Sequence, residues 1–431
     1  MISQELEKKV LFYRRDFHKY PETAWSEFRT ASLIAEYLYK MGYKDLLFGS
    51  SIFDFTSVMG RPDENIIDHH IGRAIRQGAI KEWIDKMERH PGVMAVLDTK
   101  RSGPTVTLRF DLDAVDITET KDPAHRPVKE GFASVHDGAM HACGHDGHAA
   151  MGLGIAELIM EHSNSLTGTY KLIFQPAEEG VRGAKAMADK GILDDCDYFI
   201  AIHLGMSHPT GKVTAGAQGF LCTTKFDVRY TGVSAHAGAA PENGRNALLA
   251  ACAAALNMHA IAPHGKGISR INVGVLQAGE GRNVVPPNAF MKVETRGATE
   301  EIETYMYSRA REIIDGAAKM YGVESVVYET GAATTARSSN KIVDIIANEA
   351  VKVDGITEIE KTAAAEGSDD ATWMMKRVQN LGGQATYIIV GSNLTAGHHN
   401  EYFDFDERSL FIGVDLIFKT LQAIAKNGAR S

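Results

Sequence analysis

KFDVRYTG (225–232), RINVGVLQ (270–277), AFMKVETRG (289–297) and VESVVYET (323–330) are four short runs rich in β-branched and aromatic residues, the composition of strands. Between them lie NALLAACAAALNMHAIA (246–262) and EIETYMYSRAREIIDGAAKMYG (301–322), both helical in pattern. In the second, Ile302, Met306, Ile313, Ala317 and Met320 fall near one face. The order β-α-β-β-α-β is that of the split, ferredoxin-like unit.

Outward from this stretch the pattern changes. VMAVLDT (93–99) and TVTLRFDLD (105–113) read as two strands around the turn KRSGP. KLIFQPAEE (171–179) and YFIAIHLG (198–205) are apolar runs that end in polar residues, and ATYIIVG (385–391) is another buried strand. Helical patterns occupy 4–19, 28–42, about 146–162 and 407–426. Strands alternating with helices predict an α/β domain, a sheet with helices on both faces. That domain would comprise 1–217 and 333–431, with 218–332 inserted into it. Residues 48–92 fit less simply: SSIFDFTS is followed by a helix-like run, IGRAIRQGAIKEWIDKMERH, with no evident role.

The chain has 431 residues, ample for two or three domains. Its formal charge of −9 argues against a nucleic-acid partner, which selects a basic face. No apolar run approaches the roughly 18 residues of a membrane span. The opening MISQELEKKVLFYRRDF is charged and lacks the apolar core of a signal peptide. The four cysteines, Cys143, Cys196, Cys222 and Cys252, are too scattered for a disulfide framework. These features predict a cytoplasmic protein.

Chemistry concentrates in four places. MHACGHDGHAA (140–150) sets Cys143, His145, Asp146 and His148 just before a helix. Thiolate and imidazole together suit zinc and similar ions, although Asp146 as a helix cap among solvated histidines is the plainer explanation. QPAEEG (175–180) puts Glu178 and Glu179 after an apolar strand; alone it reads as a solvated acidic turn. His203 in AIHLG (201–205) lies at a strand's carboxyl end, where a lone histidine is usually structural. His398 and His399 lie in AGHHNEYFDFDE (396–407), beyond the last strand. Ligands gathered from several strand ends fit the rule that α/β sites lie at the carboxyl edge of the sheet.

Taken in order, RRDFHKYPETAWSEFRTA, RFDLDAV, MHACGHDGH, FQPAEEG, AIHLG, GVSAHAGAAPENGRNAL, GRNVVPPNAFMKVETR and GHHNEYFDFDE resemble the M20 metallopeptidase family in its amidohydrolase branch. The resemblance implies a mixed-sheet catalytic domain with an inserted lid and dimerisation domain. It implies two metal ions held by Cys143, His145, Glu179, His203 and His399. His399 is preferred to His398 because Asn400 and Tyr402 complete the family's pattern. Glu178 falls on the general base, His236 on a donor to the developing oxyanion, and Asn283 and Arg296 on the binders of a substrate carboxylate. Asp113 matches a residue that orients a ligand histidine, although the usual A-L-P after it reads Ala114-Val115-Asp116 here. Manganese is the metal the resemblance favours; the thiolate leans toward zinc.

The finer resemblance, in RPDE, QAGEGRNVVP and VETRGA together with the 48–92 segment, is to hydrolases of amides between an aromatic acyl group and an acidic amino acid. It implies p-aminobenzoyl-glutamate as substrate, with indoleacetyl-aspartate or a broader set of N-acyl amino acids as alternatives. Arg182, Arg245 and Arg282 are candidates for the second carboxylate. A homodimer through the lid is expected, or a heteromer with a paralogous subunit. The rival of another class is a non-catalytic binding subunit, which the intact ligand set and Glu178 oppose.

Overall fold

Thr105–Asp111, Thr169–Gln175, Tyr198–Leu204 and Gln384–Val390 are buried along nearly their whole length. Such continuous apolar strands belong to a parallel sheet covered on both faces, and these four pair in parallel. In the computed structural model, which describes residues 2–365 and 367–428, they form the centre of an eight-stranded mixed sheet. Its order is Asp45–Leu47, Val93–Asp98, Thr169–Gln175, Thr105–Asp111, Tyr198–Leu204, Gln384–Val390, Lys212–Thr214, Glu358–Glu360. Alternate residues serve the two faces: Leu108, Phe110, Leu172, Phe174, Ile200 and Ile202 enter the main core, while Ile173, Phe199, Ala201 and Ile389 are equally buried on the other side. The four parallel strands deliver Gln175, Asp111, Leu204 and Val390 to one edge.

The two strands flanking KRSGP are not neighbours. Thr169–Gln175 lies between them, antiparallel to Val93–Asp98 and parallel to Thr105–Asp111. The connecting loop hooks past the incoming chain instead of closing a hairpin. Thr99 N–H donates to the Gly168 carbonyl, and Gly168 N–H donates back to Arg101.

The glycine-rich helix His145–Glu161 is buried over most of its length. A Cβ on Gly152 would lie 2.7 Å from the rings of Phe110 and Phe174, so the bare glycine is what lets the helix sit on the sheet. Helices Gln4–Lys19 and Arg408–Gly428 contribute apolar residues to the same core. The 48–92 helical run breaks into Glu64–Arg76 and Lys81–Lys86 around Gly78, whose φ is +92°. Arg73 pairs with Glu22 at 3.2 Å, and Asp54 N–H donates to the Ala186 carbonyl. The segment therefore braces both the amino-terminal motif and the helix Ala184–Asp189.

The second compact unit comprises Phe220–Thr335 with Gly367–Asp369; the rest of the chain forms the first. Its four-stranded sheet runs Glu324–Ala333, Cys222–Thr231, Asn288–Gly297, Ser269–Ala278, all antiparallel. In chain order that is 4-1-3-2, the ferredoxin-like arrangement. Helices Ala247–His259 and Glu300–Tyr321 share a core with Phe226, Val228, Tyr230 and Met291. The buried stripe of the longer helix includes Ile302, Met306, Ala310, Ile314 and Ala317, and Met320 is 70% exposed. Met320 falls on the same side as the buried Ile302, five full turns earlier, and is exposed because it lies in the last turn of the helix, next to the cap at Gly322. Among the described residues no helix is long and apolar enough to cross a membrane.

Gly152→Ala tests the close approach of helix to sheet. Alanine is the better helix former by about 1 kcal/mol, but overpacking here should outweigh that gain and lower stability by about 1–3 kcal/mol. The midpoint of urea unfolding reads the sign; an increase would show that the helix can lift off the sheet at little cost.

Candidate metal centre

At the carboxyl edge of the parallel strands the first unit gathers two overlapping groups of donor atoms. One is Cys143, His145 and His203; the other is Cys143, Glu179 and His399; within each, the donor atoms lie within 4.8 Å of one another. Because Cys143 is common to both, no two of these five donors can be much more than twice that distance apart. A further group, His145, Glu178 and Glu179, sets the two adjacent glutamates against the same histidine.

Hydrogen bonds fix which nitrogen each histidine presents. His203 Nδ1 lies 2.8 Å from the Leu204 carbonyl, so that nitrogen carries the proton and Nε2 faces Cys143 Sγ at 3.5 Å. Burial, with His148 and His398 nearby, holds its pKa well below the usual value. His145 Nδ1 lies 3.3 Å from Asp113 Oδ1, and its buried Nε2 has no hydrogen-bond partner. A histidine held by a carboxylate on one nitrogen, with the other free, is the usual form of a metal ligand. A buried orphan nitrogen among a thiol, imidazoles and carboxylates fits a divalent cation.

His399 Nε2 lies 3.1 Å from Glu179 Oε1. Hydrogen bonds to Cys143 and Glu179 push its pKa up to about 10. His399 has φ +60°, a left-handed backbone uncommon for a residue with a side chain; its N–H donates to the Ala142 carbonyl. His398 Nε2 instead lies 3.2 Å from the Leu204 carbonyl. Asp113 accepts the N–H groups of Glu178 and Glu179 at 3.0 and 2.8 Å. One carboxylate thereby orients His145 and the backbone of both glutamates. Glu178 Oε2 lies 4.0 Å from His145 Nε2.

Behind this edge lies a buried ionic network. Arg14, fully buried, reaches Asp146 at 3.0 Å, Asp404 at 2.7 Å and Glu407 at 3.1 Å. His18 lies between Asp146 at 2.8 Å and Glu119 at 3.0 Å. Arg126 adds a second cation on Asp404 and Glu407.

In the second unit the structure brings His236 and Asn283 together and leaves Arg296 apart. His236 bridges Val284, and Ala237 N–H donates to the Asn283 carbonyl. His236 Nδ1 accepts from Gly238 and Ala239 N–H at 3.2 and 3.1 Å, which leaves Nε2–H as an exposed donor. Arg296 lies near the other end of the strand Asn288–Gly297, roughly 25 Å away at about 3.3 Å per residue. Its guanidinium bonds Glu294 at 3.1 and 3.2 Å.

Residues 107–423 match the family model described as Peptidase family M20/M25/M40. The chain is 51% identical to one subunit of the p-aminobenzoyl-glutamate hydrolase of Escherichia coli, covering 96% of this chain and 95% of that one. It is also 51% identical to the indole-3-acetyl-aspartic acid hydrolase of Enterobacter agglomerans, over 97% and 96%. The crystal structure of an aminobenzoyl-glutamate utilization protein from Klebsiella pneumoniae superposes with a TM-score of 0.84 at 43% identity, over 97% and 96% of the two chains. The chain belongs to the M20 peptidase family. It is a hydrolase acting on an amide, in a metal-dependent family whose mixed α/β fold it shares.

Several residues that build this candidate site have roles that their motifs do not announce. His148 stands inside the Cys143–His148 cluster yet has both nitrogens engaged. Nδ1 lies 2.5 Å from Asp111, and Nε2 accepts the Leu204 N–H at 2.9 Å. An Nε2 that accepts a hydrogen bond carries no proton, so His148 is a neutral strut between helix and sheet. Asp370 accepts from Gly183 and Ala184 N–H at 3.0 and 2.9 Å and from Arg109 at 3.1 Å. Glu27 accepts the Ala177 N–H at 2.7 Å. The run RRDFHKYPETAWSE is the available signal for Arg14, His18 and Glu27; nothing local marks Asp370.

His18 gives a pH test. Burial and Arg14 oppose its protonation, but hydrogen bonds to Asp146 and Glu119 prevail and push its pKa up to about 9 from 6.5. A raised folded-state pKa stabilises fully below the unfolded value, and the contribution is lost as pH rises through the folded value. His18→Gln should cost roughly 3–5 kcal/mol at pH 6, with the deficit shrinking between about pH 6.5 and 9. Urea unfolding of both proteins across that range measures it; a deficit constant with pH would mean that His18 is neutral when folded.

Proposed function

We propose that this M20 hydrolase cleaves the amide between an aromatic acyl group and an acidic amino acid, p-aminobenzoyl-glutamate foremost, at a centre of two divalent ions. The observation that carries it is the pair of donor groups sharing Cys143, with Glu178 beside them. Cys143, His145, Glu179, His203 and His399 would hold the ions. When bound, two such ions supply an acidified water and polarise the scissile carbonyl. Glu178 takes the proton of the attacking water and returns it to the departing amine. The exposed Nε2–H of His236 is suited to the developing oxyanion, and Arg296 and Asn283 to the substrate carboxylate.

The relatives support the substrate class. The names of the two at 51% identity both join an aromatic acyl group to an acidic amino acid. Equal identity keeps indoleacetyl-aspartate as the second reading. Manganese is the first choice of metal, and zinc the alternative toward which the Cys143 thiolate inclines. We place the enzyme in the cytoplasm as a homodimer through its inserted, lid-forming unit. A heteromer is the alternative, since the Escherichia coli relative is named as one subunit of its hydrolase. The strand that separates Asn283 and His236 from Arg296 favours more than one copy. A single inserted unit cannot turn both ends toward one carboxylate.

Metal-free protein refilled separately with manganese and zinc, then assayed for amine release from matched acyl-glutamate and acyl-aspartate, tests substrate and metal together. No amine from any of them would sink the reading in favour of a binding subunit. Glu178→Gln should keep its metal and KM while kcat falls at least about 10²-fold; loss of metal with turnover unchanged would exchange the roles of Glu178 and Glu179. Mixing inactive His236→Ala with inactive Glu178→Gln should restore activity if His236 serves another copy. No recovery, with subunit exchange demonstrated, would refute that.

A further inference from the structure

Residues 176–183 form a tightly wound loop around Glu178 and Glu179. Ala177, Gly180 and Val181 are all left-handed, with φ of 56°, 84° and 59°. For Val181 that is a marked outlier, since a β-branched side chain crowds this region. The loop is held by Val181 N–H to the Glu178 carbonyl at 2.6 Å and by Arg182 and Gly183 N–H to the Ala177 carbonyl at 3.0 and 2.9 Å. Asp370 pins the exit through Gly183 and Ala184. Strain kept in place by this many bonds is common where a side chain must be aimed.

The winding brings one cation to the loop. The Arg182 guanidinium folds back over Gly180; a Cβ there would lie 2.5 Å from Nε and 2.9 Å from a terminal nitrogen. The glycine thus leaves room both for its own backbone angle and for the flat guanidinium. Arg182 is partly buried, and among the described residues no hydrogen bond or ion pair ties down its guanidinium. Other fully or partly buried arginines of the same unit are tied: Arg14 to Asp146, Arg29 to Asp16, Arg73 to Glu22, Arg109 to Asp111, Arg126 to Asp404. Arg245 and Arg282 are less suited. Arg245 bonds the carbonyls of Glu242 and Gly244, and Arg282 is exposed on a loop of the second unit.

We propose that Arg182 receives the side-chain carboxylate of the acidic amino acid, and so selects acyl-glutamate over neutral acyl-amino acids. This rests on the substrate class proposed above. A chain of net charge −9 must concentrate positive charge where a dicarboxylate binds. A guanidinium without a carboxylate of its own, beside the residue that follows Glu179, offers a planar two-pronged donor for one.

The test compares p-aminobenzoyl-glutamate with p-aminobenzoyl-glutamine, which keeps shape and α-carboxylate but replaces the second carboxylate by an amide. Wild type, Arg182→Met, which retains a long apolar stem, and Arg182→Lys are assayed on both with metal-loaded protein. Wild type should prefer the glutamate substrate. Arg182→Met should lower kcat/KM for it at least about tenfold, mainly through KM, and change the glutamine substrate less than about threefold; Arg182→Lys should recover part of the preference. Equal losses on both substrates would make Arg182 a brace for the loop and overturn the proposal. So would a preference that survives in Arg182→Met, while the acidic-substrate reading stood. A wild type indifferent to the second carboxylate would overturn the substrate reading and this inference with it.

Discussion

Arg14 has no access to solvent, and Asp146, Asp404 and Glu407 surround its guanidinium. Each carboxylate belongs to a segment that carries a donor of the candidate centre. Asp146 follows His145 at the start of the buried helix, and Asp404 and Glu407 close the loop that begins with His398 and His399. One cation from the first helix therefore fixes two segments far apart in sequence. Taking such charges out of water is costly, and a buried pair adds little net stability compared with a well-packed apolar substitute. What it provides is a penalty for every other arrangement, since removing one partner strands the rest. His18 and Arg126 complete the same set, so that the acidic groups behind the candidate centre are each matched by a cation.

The same logic governs the donor histidines. His203, His145 and His148 differ little in burial, but their second nitrogens differ in partner. A backbone carbonyl holds His203, Asp113 holds His145, and His148 is spent at both ends. Burial alone would make all three equivalent candidates. The hydrogen bonds on the far side separate two candidate ligands from one strut.

Much of this architecture is legible in local sequence, for local reasons. Continuous apolar strands identify the parallel core, and alternation with two helical stretches identifies the inserted unit. The clusters 140–150 and 175–180 lie where strand or helix ends must expose polar residues. What is not legible depends on distant partners. Nothing in VMAVLDT or TVTLRFDLD says that a strand some sixty residues later will separate them. Asp370 looks like any helix-flanking acid until Gly183, Ala184 and Arg109 are seen around it. Met320 satisfies helical spacing and is still exposed, because spacing does not record where the sheet beneath a helix ends. The His236, Asn283 and Arg296 motifs can be recognised in sequence, but only strand geometry shows that they cannot converge within one unit.

The ten residues of Asn288–Gly297 act as a ruler. Bonded to a strand on each side, this strand cannot stretch or bend to adjust the interval between the loop before it and Arg296 near its end. Removing two residues would preserve every side chain's face and shorten the interval by nearly 7 Å; removing one would also turn half the strand inside out. Length variation in this unit should therefore collect in connecting segments such as 260–268, which measure nothing, and be purged from the central strand.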